Sequence, residues 1–242
     1  MKENCIILYL HSPDGKNLDA DFRTAFPGPK AGEIYTQAAR EVYSVCNRLP
    51  DAQVVAAYER SSHYPDIRWL DQDDPGFLAA RGESLEEKTA KAFEWCFNAG
   101  AKRVIWVSPM AVWLDAAVLE EAFNILKFKE VVIGPSGEKA YLFGVATPCP
   151  ELCDGYPWRG KKQPEEITAR ARKSRLNVEM LAEGGIVMDE KSYHQWLAAM
   201  RKDAMPEKAE KTEKADKAEK TDKPQKAEKG VSRPENPQQK PR

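Results

Sequence analysis

The fold is decided by the stretch Cys5-Ile-Ile-Leu-Tyr-Leu-His11, a β-rich apolar run without polar alternation. Such a run is typical of a strand that is buried on both faces of its sheet. A second run of this kind, Arg103-Val-Ile-Trp-Val107, follows a segment with helical periodicity. Strands that alternate with helices in this way form a mostly parallel sheet with helices on both faces. We therefore predict an α/β domain with a central, mostly parallel sheet.

Shorter apolar runs and helical stripes continue along the chain and define the remaining elements. The polar stretch before Glu33, which is rich in proline and glycine, is predicted to be loop. Ligands bind such sheets beyond the carboxyl ends of the strands, so the loops after those ends are the expected site. These loops follow His11, Tyr58, Val107 and Ile133. The further predicted strands are Gln53–Tyr58, Ile67–Leu70, Val131–Ile133, Tyr141–Val145 and Val178–Leu181; the predicted helices are Glu33–Leu49, Ser84 to Gly100, Asp115–Leu126, Glu165–Arg175 and Glu190–Met200.

The composition changes abruptly at Pro206. From there to Arg242 the only large apolar residue is Val231, and acid-Lys-Ala/Thr triplets repeat. A segment of this kind cannot bury enough apolar surface to offset the entropy of ordering it. We therefore predict one domain over residues 1–205 and a disordered Lys/Glu-rich tail over residues 206–242. The tail is a candidate docking segment for a partner protein.

Charge and cysteine usage narrow the expected partners and location. The tail holds eleven basic and eight acidic residues, which leaves 26 basic and 30 acidic residues before it. An acidic domain without a basic run does not favour a nucleic-acid partner. Five scattered cysteines suit reduced thiols in a cytosol. No apolar run reaches the length of a signal-peptide core or a membrane span, so we expect a cytoplasmic protein without a membrane partner.

Four motifs, in a fixed order, resemble a known family. They are Gly82-Glu-Ser-Leu-Glu-Glu-Lys88, the segment Phe93 to Val107, Gly134-Pro135 with Tyr141-Leu-Phe-Gly144, and Gly155-Tyr-Pro-Trp158. The chain is similar, from Ile6 to Leu197, to a bacterial family of glycosyltransferase-A-like domains. These are catalogued as radical-SAM/selenodomain-associated, or arsenosugar-biosynthesis-type, glycosyltransferases. The resemblance implies a nucleotide-diphospho-sugar transferase fold and transfer of a sugar from a nucleotide-sugar donor to a small acceptor.

The resemblance also implies a divalent cation, Mg²⁺ or Mn²⁺, held by an aspartate after the central strand. In this sequence Met110 stands at that position, and a thioether does not replace a hard oxygen ligand. Asp115 and Asp189 lie near two of the acid positions of the family, and each is also suited to cap the helix that follows it. The sequence therefore predicts no metal ligands.

The same resemblance supplies candidate residues for a nucleotide-sugar cleft. In the loop after the first strand, the family's basic positions fall on Leu18, Asp19 and Ala20, and the acids there would repel a diphosphate. Glu138 is either a site carboxylate or part of a solvated hairpin turn. The candidates are Pro13, Gly15, Lys16, Lys88, Glu138 and Tyr141.

Two kinds of side chain at the expected site have open roles. His11 ends the first strand and is either a catalytic base or a hydrogen-bonded loop residue. Trp106, Trp113 and Trp158 either stack a base or sugar or serve as packing. Two functions thus remain: a transferase that works without a metal or with a rearranged site, and a non-catalytic relative that binds a ligand or a partner protein through the same cleft.

Overall fold

The computed structural model describes residues 1–153, 158 and 160–203. Met1–Ala198 form one compact unit, and the second unit, Ala199–Arg242, contains described residues only at the end of the last helix. The predicted tail lies outside the described residues, and so do the first three residues of the motif that ends at Trp158. The strands are β1 (Asn4–His11), β2 (Ala52–Glu59), β3 (Leu78–Ala79), β4 (Arg103–Val107), β5 (Val131–Ser136), β6 (Lys139–Val145) and β7 (Val178–Met180); the helices are α1 (Ala20–Ala25), α2 (Pro29–Cys46), α3 (Leu85–Asn98), α4 (Ala116–Ile125), α5 (Pro150–Cys153), α6 (Gln163–Lys173) and α7 (Glu190–Asp203).

The seven strands form one sheet in the order β3-β2-β1-β4-β6-β5-β7. Strand β1 pairs in parallel with β2 on one side and with β4 on the other. Strand β6 is antiparallel to both of its neighbours, β4 and β5, while β7 is parallel to β5. The carboxyl ends of β1, β2, β4 and β5 therefore share one edge of the sheet. The prediction of a mostly parallel α/β sheet is confirmed.

Burial on both faces explains why β1 lacks polar alternation. Ile6, Leu8 and Leu10 belong to the core on one face of the sheet, whereas Ile7 and Tyr9 belong to the core on the other. All five are at most 3% exposed. Burying an apolar side chain of this size contributes about 1.5–3 kcal/mol. The strand therefore anchors helices on both faces and fixes the edge where it ends.

Helix boundaries follow the predicted capping residues. The Ser84 hydroxyl accepts the Glu87 N–H at 3.2 Å, and Asp115 accepts the Val118 N–H at 2.9 Å. Asp189 accepts the Ser192 N–H at 2.8 Å at the start of α7. The capping prediction needs one change, because the Glu87 carboxylate accepts the N–H of Glu83 at 2.9 Å and not that of Ser84.

Two predictions about the first half of the chain are wrong. Ile67–Leu70 is not a strand but a turn, in which the Leu70 N–H donates to the Ile67 carbonyl at 2.8 Å. Its apolar side chains are buried because the turn covers the core, and the edge strand is β3. The stretch predicted to be loop contains the short helix α1, because Asp19 caps it by accepting the Asp21 N–H at 2.9 Å. Helix α2 also begins before Glu33, with Pro29 in its first turn, where a proline needs no N–H partner.

Two findings bear on the environment of the chain. No helix among the described residues combines the length and apolar character that a membrane span requires. The five cysteines are all buried. Cys5 and Cys96 lie with their sulfur atoms 3.3 Å apart, as hydrogen-bonded thiols across β1 and α3.

Candidate functional site

A small cavity lies at the carboxyl edge of the sheet, where β1 and β4 end. Its volume is about 130 Å³, and its walls come from β1, β4, the first two residues of β6, and helices α1, α2, α3 and α6. Because a water molecule in the liquid occupies about 30 Å³, the cavity holds roughly four waters. Of the four loops expected at the site, those after His11 and Val107 contribute to its lining, and those after Tyr58 and Ile133 do not.

The walls of the cavity are mostly apolar and aromatic. Trp106 of β4 and Trp158 lie with ring centroids 5.0 Å apart at an angle of 51°. Phe22 and Met110, 2% and 7% exposed, close the opposite side. Of the three tryptophans considered from sequence, Trp106 and Trp158 line the cavity, whereas Trp113 packs on Gly185 and is 38% exposed.

A few polar side chains face into this apolar cavity. Tyr35 is buried and accepts the backbone N–H of His11 at 2.8 Å, and burial raises the pKa of its hydroxyl. Thr89 of α3 is only 1% exposed. Ser108, immediately after β4, accepts the Met110 N–H at 3.3 Å. Several hydroxyl groups against aromatic walls are suited to a small polyhydroxylated group, since aromatic faces cover apolar surface while the hydroxyls orient the ligand.

Gln163 fixes one wall by two hydrogen bonds. Its side-chain carbonyl accepts the Ala140 N–H at 2.9 Å, and its amide donates to the Trp158 carbonyl at 2.6 Å. The residue is 3% exposed, so both bonds are shielded from water. Gln163 thereby joins the start of β6 and the first turn of α6 to the tryptophan at the cavity wall.

The charged centre of the site is Glu59, the last residue of β2, which the sequence reasoning missed. Its carboxylate accepts a hydrogen bond from Lys88 at 2.7 Å and lies 3.2 Å from Nδ1 of His11. Tyr9 donates to the same carboxylate at 3.4 Å. Contact with His11, then with Lys88, lowers the pKa of Glu59 to about 2. His11 lines the cavity, so this ionised group stands directly behind a cavity side chain.

Strand register places Glu59 beside His11. The two residues are the last partners in the parallel pairing of β1 with β2. The signal was present in the sequence as a charged residue after a buried strand, next to a loop already expected at the site. Only the register, which no local pattern fixes, shows that it meets His11.

A second ion pair crosses the mouth of the cavity. Lys139, the first residue of β6, lies 3.9 Å from the carboxylate of Asp19, and each side chain is about one-fifth exposed. Asp19 also caps α1. A pair at this distance and exposure contributes at most about 1 kcal/mol to stability. Its effect on the site is to place a cation and an anion at the entrance.

The six candidate cleft residues are dispersed. Lys88 joins the cavity through Glu59, as described above. Pro13 lines a separate open groove against α2, of about 850 Å³. Gly15 turns the loop at a φ of +76°, and Lys16 is exposed beside it.

The two remaining candidates lie on the β5–β6 hairpin. Glu138 is exposed in the turn after Gly137, whose φ is +56°. Its backbone carbonyl accepts the Gln163 N–H at 2.9 Å. Tyr141 is 4% exposed and donates to the Ala182 carbonyl at 3.2 Å. Neither side chain contributes to the lining of the cavity.

The residues at the end of β4 do not fit a divalent cation. Met110 lines the cavity at the position where the resemblance implied an aspartate. Asp115 and Asp189 are both engaged as helix caps. Within residues 1–153, 158 and 160–203, no group of three His, Cys, Asp or Glu side chains is arranged to hold a metal ion. Mg²⁺ and Mn²⁺ prefer several oxygen ligands, which this end of the sheet does not offer.

One family model and several solved structures match this chain. A family model described as "Uncharacterized protein conserved in bacteria (DUF2064)" matches residues 42–159. Comparison with curated proteins gives no match. Several solved structures, all below 25% identity to this chain, share its architecture. The chain therefore has the α/β fold of these proteins.

Three solved structures illustrate the likeness. One is a Desulfovibrio desulfuricans protein provisionally described as a nucleotide-diphospho-sugar transferase, with a TM-score of 0.69, 23% identity, and coverage of 78% of this chain and 84% of that one. The second is CMP:2-keto-3-deoxy-manno-octonic acid synthetase complexed with CTP, with a TM-score of 0.54, 10% identity, and coverage of 83% and 99%. The third is 4-diphosphocytidyl-2C-methyl-D-erythritol synthase from Anaerococcus prevotii, with a TM-score of 0.52, 9% identity, and coverage of 82% and 97%. At these identities the likeness establishes the fold.

Proposed function

We propose that the protein binds a nucleotide-activated sugar at the carboxyl edge of the sheet and transfers the sugar to a small acceptor without a carboxylate-bound metal ion. The observation that carries this proposal is the cavity itself, in which His11 and Lys139 face aromatic walls while Met110 occupies the metal-acid position. Structural neighbours that act on nucleotides or nucleotide sugars support the choice of ligand class. A cytoplasmic location is part of the proposal and agrees with the buried cysteines.

The size of the cavity supports a proposal for which part of the donor it takes. Pockets that enclose a whole drug-sized ligand usually measure about 300–1,000 Å³. In this proposal the cavity, at about 130 Å³, takes a part of the donor no larger than the sugar ring, and the nucleotide extends beyond it.

Charge at the leaving group is supplied by side chains in this proposal. Departure of a nucleoside diphosphate develops negative charge, which positioned cations stabilise. Lys139 at the cavity mouth is placed for that role, with Asp19 holding its ammonium group in the absence of ligand. Donor binding therefore exchanges one anionic partner of Lys139 for another.

Binding in the presence and absence of metal tests the proposal. Thermal unfolding of the full chain is followed with UDP-, GDP- and CDP-sugars, each with Mn²⁺ or with EDTA. The expected result is stabilisation by one donor class that is equal in both conditions. At a ligand concentration of 100 times Kd, the gain is about 2.7 kcal/mol. Stabilisation that requires Mn²⁺ would contradict the metal-independent site, and no response to any donor would remove the nucleotide-sugar assignment.

A second function, a non-catalytic relative that binds a ligand or a partner protein, is favoured by Met110. Loss of the metal acid in an otherwise intact fold is expected when binding is retained and transfer is lost. Release of nucleoside diphosphate separates the two functions. Binding of a donor without any release, over a panel of acceptor alcohols and water, supports the non-catalytic function.

A further inference from the structure

We propose that His11 is the general base of this site, that Glu59 is its positioning residue, and that Lys88 holds Glu59 in place. The proposal rests on the function proposed above and adds the group that takes the proton of the acceptor. It places the ionisable chemistry at the ends of β1 and β2. It also accounts for a partly buried charge cluster to which the fold alone assigns no role.

The imidazole is held from its rear by three elements. Nδ1 of His11 lies 3.2 Å from Glu59 Oε2, and the other carboxylate oxygen accepts the Lys88 ammonium at 2.7 Å. The backbone N–H of His11 donates to the hydroxyl of Tyr35 at 2.8 Å. The side chains of His11, Glu59 and Lys88 are 12%, 24% and 16% exposed. The ring is therefore fixed on one side by a shielded ion cluster and borders the cavity on the other.

This arrangement selects one tautomer of the neutral ring. An ionised Glu59 accepts hydrogen bonds only, so Nδ1 of His11 must carry the proton. Nε2 then has a free lone pair, and in the described part of the chain it makes no hydrogen bond. A carboxylate that orients a histidine in this way also stabilises the imidazolium formed when the ring takes up a proton. A histidine that served only to pair Glu59 would have no need to border the cavity.

The proposed step balances with an alcohol or water as the acceptor. The acceptor hydroxyl gives its proton to Nε2 of His11 while its oxygen forms a bond to the anomeric carbon. The bond from that carbon to the diphosphate oxygen breaks, and its electron pair leaves with the nucleoside diphosphate. His11 becomes an imidazolium beside Glu59 and returns its proton to solvent after the products leave.

The charged and titratable groups around His11 come from every neighbouring element. Glu59 and Lys88 face it from β2 and α3. Tyr9 packs against its ring at 5.3 Å between centroids, and Tyr35 contacts its backbone. Across the cavity stand the partners of the entrance ion pair, Asp19 and Lys139. Glu59 is the anion in direct contact with the imidazole.

Kinetics of three variants test the roles. Nucleoside diphosphate release from UDP-glucose, GDP-mannose and CDP-glucose is measured with the full chain, with water and added alcohols as acceptors. For His11→Gln we expect kcat to fall by about 10²–10⁴-fold with the donor KM unchanged within about threefold. Glu59→Gln should lower kcat by a smaller factor, also with the donor KM unchanged, because the imidazolium loses its anionic partner. His63→Gln, at an exposed histidine outside the cavity, is the matched control and should behave as the parent.

Two kinetic results would overturn the proposal. One is a His11→Gln variant that keeps its kcat, and the other is a Glu59→Gln variant whose kcat equals that of the parent. A donor that binds without being turned over by the parent chain also overturns it. In each of these cases the binding site for the nucleotide sugar itself still stands.

A spectroscopic measurement tests the orientation of His11 by Glu59 without requiring a bound donor. Nitrogen-15 NMR of histidine-labelled full chain, assigned with His11→Gln, reports the tautomer of the neutral ring. A proton on Nδ1 in the parent, with a mixture of tautomers in Glu59→Gln, supports the base and its positioning residue. A proton on Nε2 in the parent overturns the proposal, because that ring has no free lone pair towards the cavity.

Discussion

Strands β1 and β4 lie side by side, run in the same direction and end at the same edge, yet their ends differ in character. Strand β1 ends at His11, which meets Glu59 and Lys88 in a shielded ion cluster. Strand β4 is followed by Ser108 and Met110, which present a hydroxyl and a thioether. Neighbouring strand ends in one sheet can therefore carry side chains of different chemical character. In this chain, the ionisable groups belong to the β1 end and the apolar wall belongs to the β4 end.

The largest expected effect tests what the two strands share. Ile6 and Ile105 are register partners, both fully buried in the same core. Replacing either by alanine should lower the free energy of unfolding by about 2–5 kcal/mol, because each change leaves a cavity. Urea denaturation measures the loss. The double variant should deviate from additivity, since the side chains are neighbours; losses confined to one strand would show that the strands do not share a core.

The next effect tests the apolar end of β4. Met110→Asp buries a carboxylate against aromatic side chains and should destabilise the chain by at least about 1–3 kcal/mol. Met110→Leu is the matched control and should cost less than about 1.5 kcal/mol. Calorimetry with and without Mn²⁺ measures both. Stabilisation of the aspartate variant by Mn²⁺ would contradict this expectation. It would show that the residue at position 110 alone, and not the apolar surroundings, keeps a metal ion from the end of β4.

A smaller, pH-dependent effect tests the charged end of β1. The pKa of Glu59 falls from 4.5 to about 2 in the folded chain, so its contribution to stability is present above pH 4.5 and is lost as the pH falls towards about 2. Glu59→Gln should therefore lower Tm at pH 7. The difference in Tm between this variant and the parent should shrink as the pH falls from 4.5 to about 2. Glu94→Gln, at an exposed residue of α3, is the control. A deficit that stayed constant down to pH 2 would show that charge is not the cause.

The smallest effect on stability concerns the cavity mouth. Lys139→Gln removes the partner of Asp19 at 3.9 Å and should change the unfolding free energy by less than about 1 kcal/mol. The same change should weaken donor binding, which calorimetric titration measures. Lys129→Gln, in another long-distance surface pair remote from the cavity, is the control. Unaltered donor affinity in Lys139→Gln would separate this residue from the leaving group.

Local patterns predicted the parts of the molecule that are locally determined. The apolar runs of β1 and β4 identified the buried strands, and Ser84 and Asp115 identified helix starts, because a cap is satisfied within one turn. Ile67–Leu70 was predicted wrongly, since a short apolar run is buried equally well in a turn that covers the core. Helix α1 was missed because the prolines and glycines around it predicted a loop.

The site was predictable only in outline. Topology located the edge, and the family resemblance led to Lys88 and to Met110 at the cavity wall. It did not lead to Glu59, whose meeting with His11 depends on how β1 and β2 align. Thr89 and Tyr35 were missed for a related reason: on a helix, a core residue and a cavity residue have the same spacing, and only the packed structure tells them apart.

The direction of strand β6 determines which residue stands at the cavity entrance. Because it runs against its neighbours, it brings the start of a strand, Lys139, to an edge where the other strands end. The preceding turn at Gly137 and Glu138 is exposed, and the pairing of β5 with β6 already shifts register between Gly134 and Pro135. The turn between β5 and β6 can therefore change in length without disturbing the buried strands. Changing its length would alter the reach of the entrance cation while the parallel core stayed intact.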